Sequence, residues 1–177
     1  MPGAESAKVG ALKEVPVALS EDFKNAMSAW ASGVTVVTTR ADGLAHGITA
    51  SSFTSVSLDP PLILVCINDK SPLCAMIQSS GRFAVSVLER GQEAASNHFA
   101  SRGREPKAVL DGVPMTATSD ALPLVAGALG TLACDLHETV ILGDHHVVVG
   151  RVTEATSGTN GSPLIYWSRA YRGVDPS

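Results

Sequence analysis

The chain has 177 residues, of which 45% are hydrophobic and only 17% charged, where average chains carry about 25% charged residues. That balance suits one domain with a substantial core, excludes bulk disorder, and leaves too little charge to solvate a whole surface, so part of the surface is expected to be covered. Thirteen basic against seventeen acidic residues give a net charge of −4, and aromatics make up only 5%, so neither the basic field nor the stacking platform of a nucleic-acid binder is present.

Met1–Leu19 is mixed in pattern and reads as a flexible N-terminal arm ahead of a single domain over 20–177. Ser20 is a good helix N-cap, and Glu21 and Asp22 suit the positive end of the helix that follows. Phe23, Ala26, Met27 and Trp30 fall on one face of that helix, which Gly33 stops. Val34–Thr39 is rich in β-branched residues and reads as a strand. Asp42-Gly43 is a hairpin signal, and Leu44–Ala50 returns as the second strand. Ser51–Leu58 alternates apolar residues with hydroxyls until Asp59-Pro60-Pro61 breaks it. Leu62–Ile67 is wholly apolar and is expected to be covered on both faces. Ser71-Pro72 starts a helix, with Ser as N-cap and Pro at the first helical position, and Gly81 follows its end. Phe83–Leu88 reads as a strand, Gln92–Ser101 as a helix, and Arg102–Asp111 as a charged loop. Ala128–Thr139, Val147–Thr156 and Leu164–Trp167 complete the strands. Short hairpin connections favour a mainly β antiparallel sheet or barrel with inserted helices over a doubly wound fold.

No uncharged apolar run reaches the ~18 residues of a membrane span, and the N-terminus lacks the apolar stretch of a secretory signal. Cys66, Cys74 and Cys134 are odd in number and lack CxxC spacing, so buried reduced thiols in a cytoplasmic protein are expected. Cys134 and His137 fall on opposite faces of a strand, and no HExxH occurs, so no metal is expected. The GxGxxG, GxxxxGK[ST] and GxSxG signatures are all missing, which removes support for a Rossmann site, a P-loop and a hydrolase elbow.

Three stretches carry chemistry. Thr49–Leu62 is dense in hydroxyls and low in bulk, so it presents O–H and N–H donors to a planar polar ring or a phosphate, or else is a plain Ser/Thr-rich edge strand. In Cys66–Pro72 a strand feeds a helix whose free amides suit an anion, with Asn68, Lys70 and Ser71 as further contacts, or else forms an ordinary cap. In Gly143–His146, Asp144 orients a histidine by accepting its ring N–H, or the segment is an exposed turn.

In this order the segments resemble the short-chain flavin reductase family, the reductase components of two-component flavin-dependent monooxygenases. The resemblance rests on Phe23–Met27, Ala31–Thr39, His46–Phe53, Ser55–Leu62, Phe83–Leu88, Phe99-Ala100 and Gly143–His145. It implies an FMN-binding split barrel working as a homodimer, with flavin sites near the subunit interface. By that resemblance Thr49, Ala50, Ser51 and Ser52 line the flavin ring and ribityl chain, and Ser55, Val56 and Ser57 meet the pyrimidine edge. Asn68, Lys70 and Ser71 sit near the ribityl phosphate, and Phe99, Ala100 and Arg102 close over it. His145, rather than His146, contacts the nicotinamide nucleotide with Tyr171 and Arg172. The implied activity transfers hydride from NADH, with NADPH as the alternative, to FMN or FAD for a partner monooxygenase. The chemistry is then one of positioning, and no side chain is expected to act as acid or base. The competing expectation is a flavin-binding module of the same fold without reductase activity.

Overall fold

The computed structural model describes residues 16–158 and 161–174. The structure is mainly β, with few helices. In chain order the elements are α1 (Val17–Ser28), β1 (Ser32–Gly33), β2 (Thr35–Ala41), β3 (Leu44–Ala50), β4 (Phe53–Leu58), β5 (Pro61–Asn68), α2 (Pro72–Ser80), β6 (Arg82–Val87) and α3 (Glu93–Ala100). They continue with β7 (Met115–Ala117), β8 (Pro123–Val125), β9 (Gly130–Leu142), β10 (His145–Ser157), β11 (Leu164–Trp167) and β12 (Ala170–Gly173).

Seven strands form an antiparallel sheet in the order β3-β2-β6-β9-β10-β5-β4. Its two edge strands, β3 and β4, are consecutive in the chain and separated only by Ser51 and Ser52. A sheet whose ends are tied by two residues has to curl back on itself. Its ends do not pair as a ladder. Next to that junction the β4–β5 pairing is extended by the Ser52 hydroxyl, which donates to the Cys66 carbonyl at 2.8 Å and accepts from the Cys66 N–H at 3.2 Å. The hairpins follow their local signals: Asp42 and Gly43 take φ of 50° and 78° between β2 and β3, as a tight primed turn requires.

Two apolar clusters share β2. On one side Val37, Val65, Ile67, Phe83, Val85 and Val148 pack with Leu73 and Ile77 of α2. On the other side Val34 and Val36 pack with Leu88, Phe99, Val125 and Leu164. The strands covered on both faces are β2 and β6, and the expectation for Leu62–Ile67 needs correction. Ile63, Val65 and Ile67 are buried, but Leu62, Leu64 and Cys66 are only half-buried. The reason is position: β5 lies next to the edge strand β4, and α2 covers only one of its faces. The same geometry corrects the cysteines. Cys74 and Cys134 are buried, and burial pushes their thiols up to about 11 and about 12, whereas Cys66 is half-buried.

α2 is capped as read. Ser71 Oγ accepts from the Leu73 N–H at 3.3 Å, Pro72 opens the first turn, and Gly81 at φ 68° ends the helix. α1 departs from the reading. It starts at Val17 behind Pro16, so Ser20 lies inside its first turn and donates its N–H to the Pro16 carbonyl at 3.1 Å. A proline fixed at φ −56° starts this helix without a side-chain cap. Residues 1–15 of the expected arm lie outside the described residues. The apolar face of the helix is turned outward: Phe23, Met27 and Trp30 are 63%, 49% and 71% exposed. α1 is held at its end by the β11–β12 turn, where Trp167 Nε1 donates to the Ala29 carbonyl at 3.1 Å and Ser168 N to the Ser28 carbonyl at 2.9 Å. Four strands were not foreseen, the first being the two-residue β1. β7 and β8 are three residues each, too short for a period to register, and β12 follows a turn at Ser168-Arg169, where neither residue is glycine although φ is 51° and 60°. The β9–β10 hairpin is longer than expected and reaches the turn Gly143-Asp144.

Candidate functional site

Two clefts lie against α3. The first, of about 650 Å³, is walled by β3 at His46–Thr49, by Asn68, Lys70 and Ser71 between β5 and α2, and by Phe99 through Glu105. The second, of about 390 Å³, lies between α3 and the β11–β12 hairpin, with Ser51, Ser96, Asn97, Arg169 and Tyr171 on its walls. Both volumes fall in the range of small-molecule sites. Thr49 and Ala100 line both clefts, so the two meet along one wall.

Glycine at 47 brings that wall together. A Cβ there would lie 3.0 Å and 3.1 Å from Phe99 ring carbons and 2.9 Å from Thr38 Cγ2. Without it the buried Phe99 ring lies directly on β3. Arg104 then stacks on that ring, its guanidinium carbon 4.6 Å from the centroid, and Nη1 donates to the Gly47 carbonyl at 3.0 Å. Thr49 Oγ1 donates to the Ser96 carbonyl at 2.6 Å, tying β3 to α3 from the other side.

The first cleft is electropositive. Lys70, Arg102 and Arg104 face one acid, Glu105. Asn68 organises the approach to α2: its Oδ1 accepts from Lys70 N at 3.1 Å, its backbone carbonyl from Ser71 N at 3.0 Å, and its Nδ2 donates to the Asp144 carbonyl at 3.2 Å. A capped helix N-terminus beside three cations suits a phosphate. His46 is buried in this wall, and burial with the nearby Arg104 charge holds its ring below the usual histidine pKa, in the neutral form.

Apart from Arg169, the second cleft is built from neutral hydrogen-bonding groups. Tyr171 Oη lies 2.9 Å from Ser96 Oγ and 2.9 Å from Asn97 Oδ1. Arg169 is held by Asn25 Oδ1 of α1 at 2.8 Å.

The residues expected to hold ligand divide as follows. Thr49, Asn68, Lys70, Ser71, Phe99, Ala100 and Arg102 come together in the first cleft, and Thr49, Ser51, Ala100 and Tyr171 in the second. Ala50 turns its side chain into the core, leaving only its backbone for a ligand. The Ser52 hydroxyl is spent on Cys66. Ser55, Val56 and Ser57 lie on the edge strand β4 and line neither cleft; Ser55 and Val56 are exposed. His145 pairs across β5 with Asn68, at the rim of the first cleft, and its Nδ1 lies 2.8 Å from Asp144 Oδ1. That hydrogen bond holds the Asp144 carboxyl below its ordinary pKa and fixes the ring so that Nε2 points away from the carboxylate. Arg172 is exposed and donates to the Tyr171 carbonyl at 3.0 Å. Arg104, Ser96, Asn97 and Arg169 were not foreseen. Only Arg104 had a sequence signal, the basic pair Arg102-Gly103-Arg104 after the third helix.

The chain is similar to known proteins over most of its length. The chain is 42% identical over 154 residues to the reductase component of 4-hydroxyphenylacetate 3-monooxygenase from Thermus thermophilus, covering 87% of this chain and 96% of that one. It is 38% identical to an NADH-dependent FAD reductase of Streptomyces globisporus, covering 82% and 80%. Among solved structures it superposes with a TM-score of 0.83 at 36% identity on BorF, the flavin reductase component of a bacterial two-component tryptophan halogenase, over 89% and 99% of the two chains. It also superposes on the S. globisporus NADH:FAD oxidoreductase in complex with NAD and FAD fragments, with a TM-score of 0.83 at 33% identity over 93% and 98%. Residues 27–175, which include both clefts and the strands that build them, match the flavin reductase like domain, and the chain belongs to that family.

Proposed function

We propose that the chain is an NADH-dependent flavin reductase, which reduces FMN or FAD and releases the product to a partner flavin-dependent monooxygenase. The observation that carries this reading is the pair of clefts with unlike chemistry that meet at Thr49 and Ala100. A flavin is a phosphate joined to a neutral ring with a hydrogen-bonding edge. The cations and the α2 N-terminus fit the phosphate, and the uncharged hydroxyl, amide and phenol groups fit the ring and a nicotinamide. When bound, the flavin supplies the hydride acceptor.

The protein's residues position rather than react. Lys70, Arg102 and Arg104 hold the phosphate end, with Ser71 capping the helix whose amides face it. Phe99 and Ala100 close the wall between the clefts, where they would hold a flavin and a nicotinamide in the close register that hydride transfer needs. The Ser51 backbone on the wall of the second cleft would face the ring and supply a fixed dipole to a flavin bound there. His145, held by Asp144, and Tyr171 contact the nicotinamide nucleotide. Both clefts open to solvent, which suits a product that leaves for another enzyme.

The curled sheet is the barrel of a split-barrel domain, and the working unit is a homodimer. Two exposed apolar surfaces support this: the α1 face with Phe23, Met27 and Trp30, and the β9–β10 tip at Val140, Ile141 and Leu142. Among the described residues no helix is long and apolar enough to cross a membrane, and the unpaired cysteines suit the cytoplasm. The test is steady-state oxidation of NADH and NADPH with FMN and FAD in all four pairs. NADH oxidation with at least one flavin is expected. Flavin binding without oxidation would make the protein a binding module instead.

A further inference from the structure

His46 is a buried, titratable side chain in the wall of the first cleft, and its ring is only 3% exposed. Its Nδ1 is sealed from solvent and has no hydrogen-bond partner among the described residues. Its Nε2 is not sealed, and it is the nitrogen that faces the cleft. Burying a polar ring atom without a partner is costly. An apolar side chain would fill the same space without that cost, so the ring is kept for what its other nitrogen meets in the cleft.

The surroundings keep this ring uncharged. A second proton would have to sit on Nδ1, where nothing accepts it. Two charges of the loop after α3 act on the ring: Arg104 opposes a proton and Glu105 favours one, and burial outweighs both. Lys70 and Arg102 add further positive charge to the same cleft. The helix α2 carries no charged residue, and on β2 the residue opposite His46 is Thr39. A neutral imidazole has one N–H. Placed on Nε2, that N–H gives the cleft a donor and leaves only a lone pair unmet at Nδ1.

We propose that His46 binds the phosphate end of the flavin as an uncharged donor, its Nε2–H reaching a phosphoryl oxygen beside Lys70, Arg102 and Arg104. The proposal rests on the reductase reading, which brings a phosphate to the first cleft. A fourth donor without a fourth charge fixes where the phosphate sits, and it adds little to the long-range attraction that a departing flavin must overcome.

The test titrates the full chain with FMN, FAD and riboflavin, read by flavin fluorescence without NADH. His46→Leu should weaken each phosphate-bearing flavin that the wild type binds by about tenfold or more, as loss of a hydrogen bond to a charged group does. Riboflavin, which has no phosphate, should hardly change. His46→Gln keeps a neutral N–H donor and should recover most of the loss. A purely structural ring would instead cost riboflavin as much as FMN. The second readout is pH. The FMN phosphate itself titrates near pH ~6, but it does so equally against both proteins, so the profiles of wild type and His46→Gln should run parallel. Equal losses for riboflavin and the phosphate-bearing flavins, no loss in His46→Leu, or a wild type that gains on His46→Gln as the pH falls below ~6.5 would overturn the proposal. Should His46→Leu fail to fold, the comparison with His46→Gln still decides. NADH oxidation is measured separately. Flavin that binds and is not reduced ends the reductase reading and leaves the role of His46 standing, whereas a wild type that binds neither FMN nor FAD overturns both.

Discussion

Gly47→Ala tests how the two clefts are held together. The new Cβ would lie 2.9 Å from Thr38 Cγ2 and 3.0 Å and 3.1 Å from the Phe99 ring, where carbon atoms normally rest at about 3.5–4.0 Å. Neither neighbour has room to swing, because Thr38 and Phe99 are both buried, at 0% and 2% exposure. Overpacking of this kind costs about 1–3 kcal/mol. Removing glycine's freedom from the unfolded chain returns about 0.4–1 kcal/mol, leaving a net loss of up to roughly 2.6 kcal/mol. For a chain of this size that lowers the thermal midpoint by up to roughly 10 °C. The strain falls on Phe99, which carries Arg104 on its face, so α3 should move off β3 and both clefts should widen. Thermal unfolding followed by circular dichroism reads the first effect, and flavin titration by fluorescence reads the second. The dissociation constant should rise about tenfold or more, as small misplacements in a binding site do. An unchanged midpoint with unchanged flavin affinity would refute the packing argument.

Lys70→Ala and Arg104→Ala should each weaken FMN binding by about 10–100-fold, the size of one charge-assisted hydrogen bond at 1.5–3 kcal/mol. Binding of riboflavin, which has no phosphate, should hardly change in the same titration. His145→Ala should raise the KM for NADH, with Asp144→Ala giving a smaller change in the same direction; unchanged kinetics would remove His145 from the site. The folded protein binds His46 neutral, its pKa below the ordinary 6.5 because of burial and Arg104, while the unfolded chain takes up the proton. Stability should therefore be intact above pH ~6.5 and fall as pH drops below it. Denaturant midpoints across that range should show the loss, and His46→Leu should flatten it. Trp30→Lys or Ile141→Lys should shift a two-chain species toward one chain in sedimentation; a wild type that sediments as a single chain would contradict the dimer.

Where the sequence was legible, the signal was local. Asp42-Gly43, Ser71-Pro72 and Gly81 each encode a backbone geometry in one or two residues, and each stands where it was read. The ordered motifs along the chain likewise pointed to the flavin reductase family. The errors have a common cause. An apolar stripe has the same spacing whether it faces its own core or a second chain, so the spacing of Phe23, Met27 and Trp30 did not say that they are exposed. The apolar run of β5 read as covered on both faces for the same reason. Alternation along β3 separates Thr49, which faces α3, from Ala50, which faces the core, but a hydroxyl-rich run does not say where its protons go. Ser52 looked free and is committed to Cys66. Asn97 and Tyr171 are 74 positions apart, and only the folded chain brings them together. The shortage of charge has a place: it falls on the outward face of β5 and on the β9–β10 tip.

The most direct test of the central claim is anaerobic. A trace of the purified full chain is mixed with excess NADH and free FMN or FAD, and the visible absorbance of the flavin is followed. The account predicts that the flavin bleaches over many turnovers per chain and regains its colour when air is admitted. Flavin that stays coloured in the presence of NADH, with protein that binds it in a parallel titration, would contradict the account.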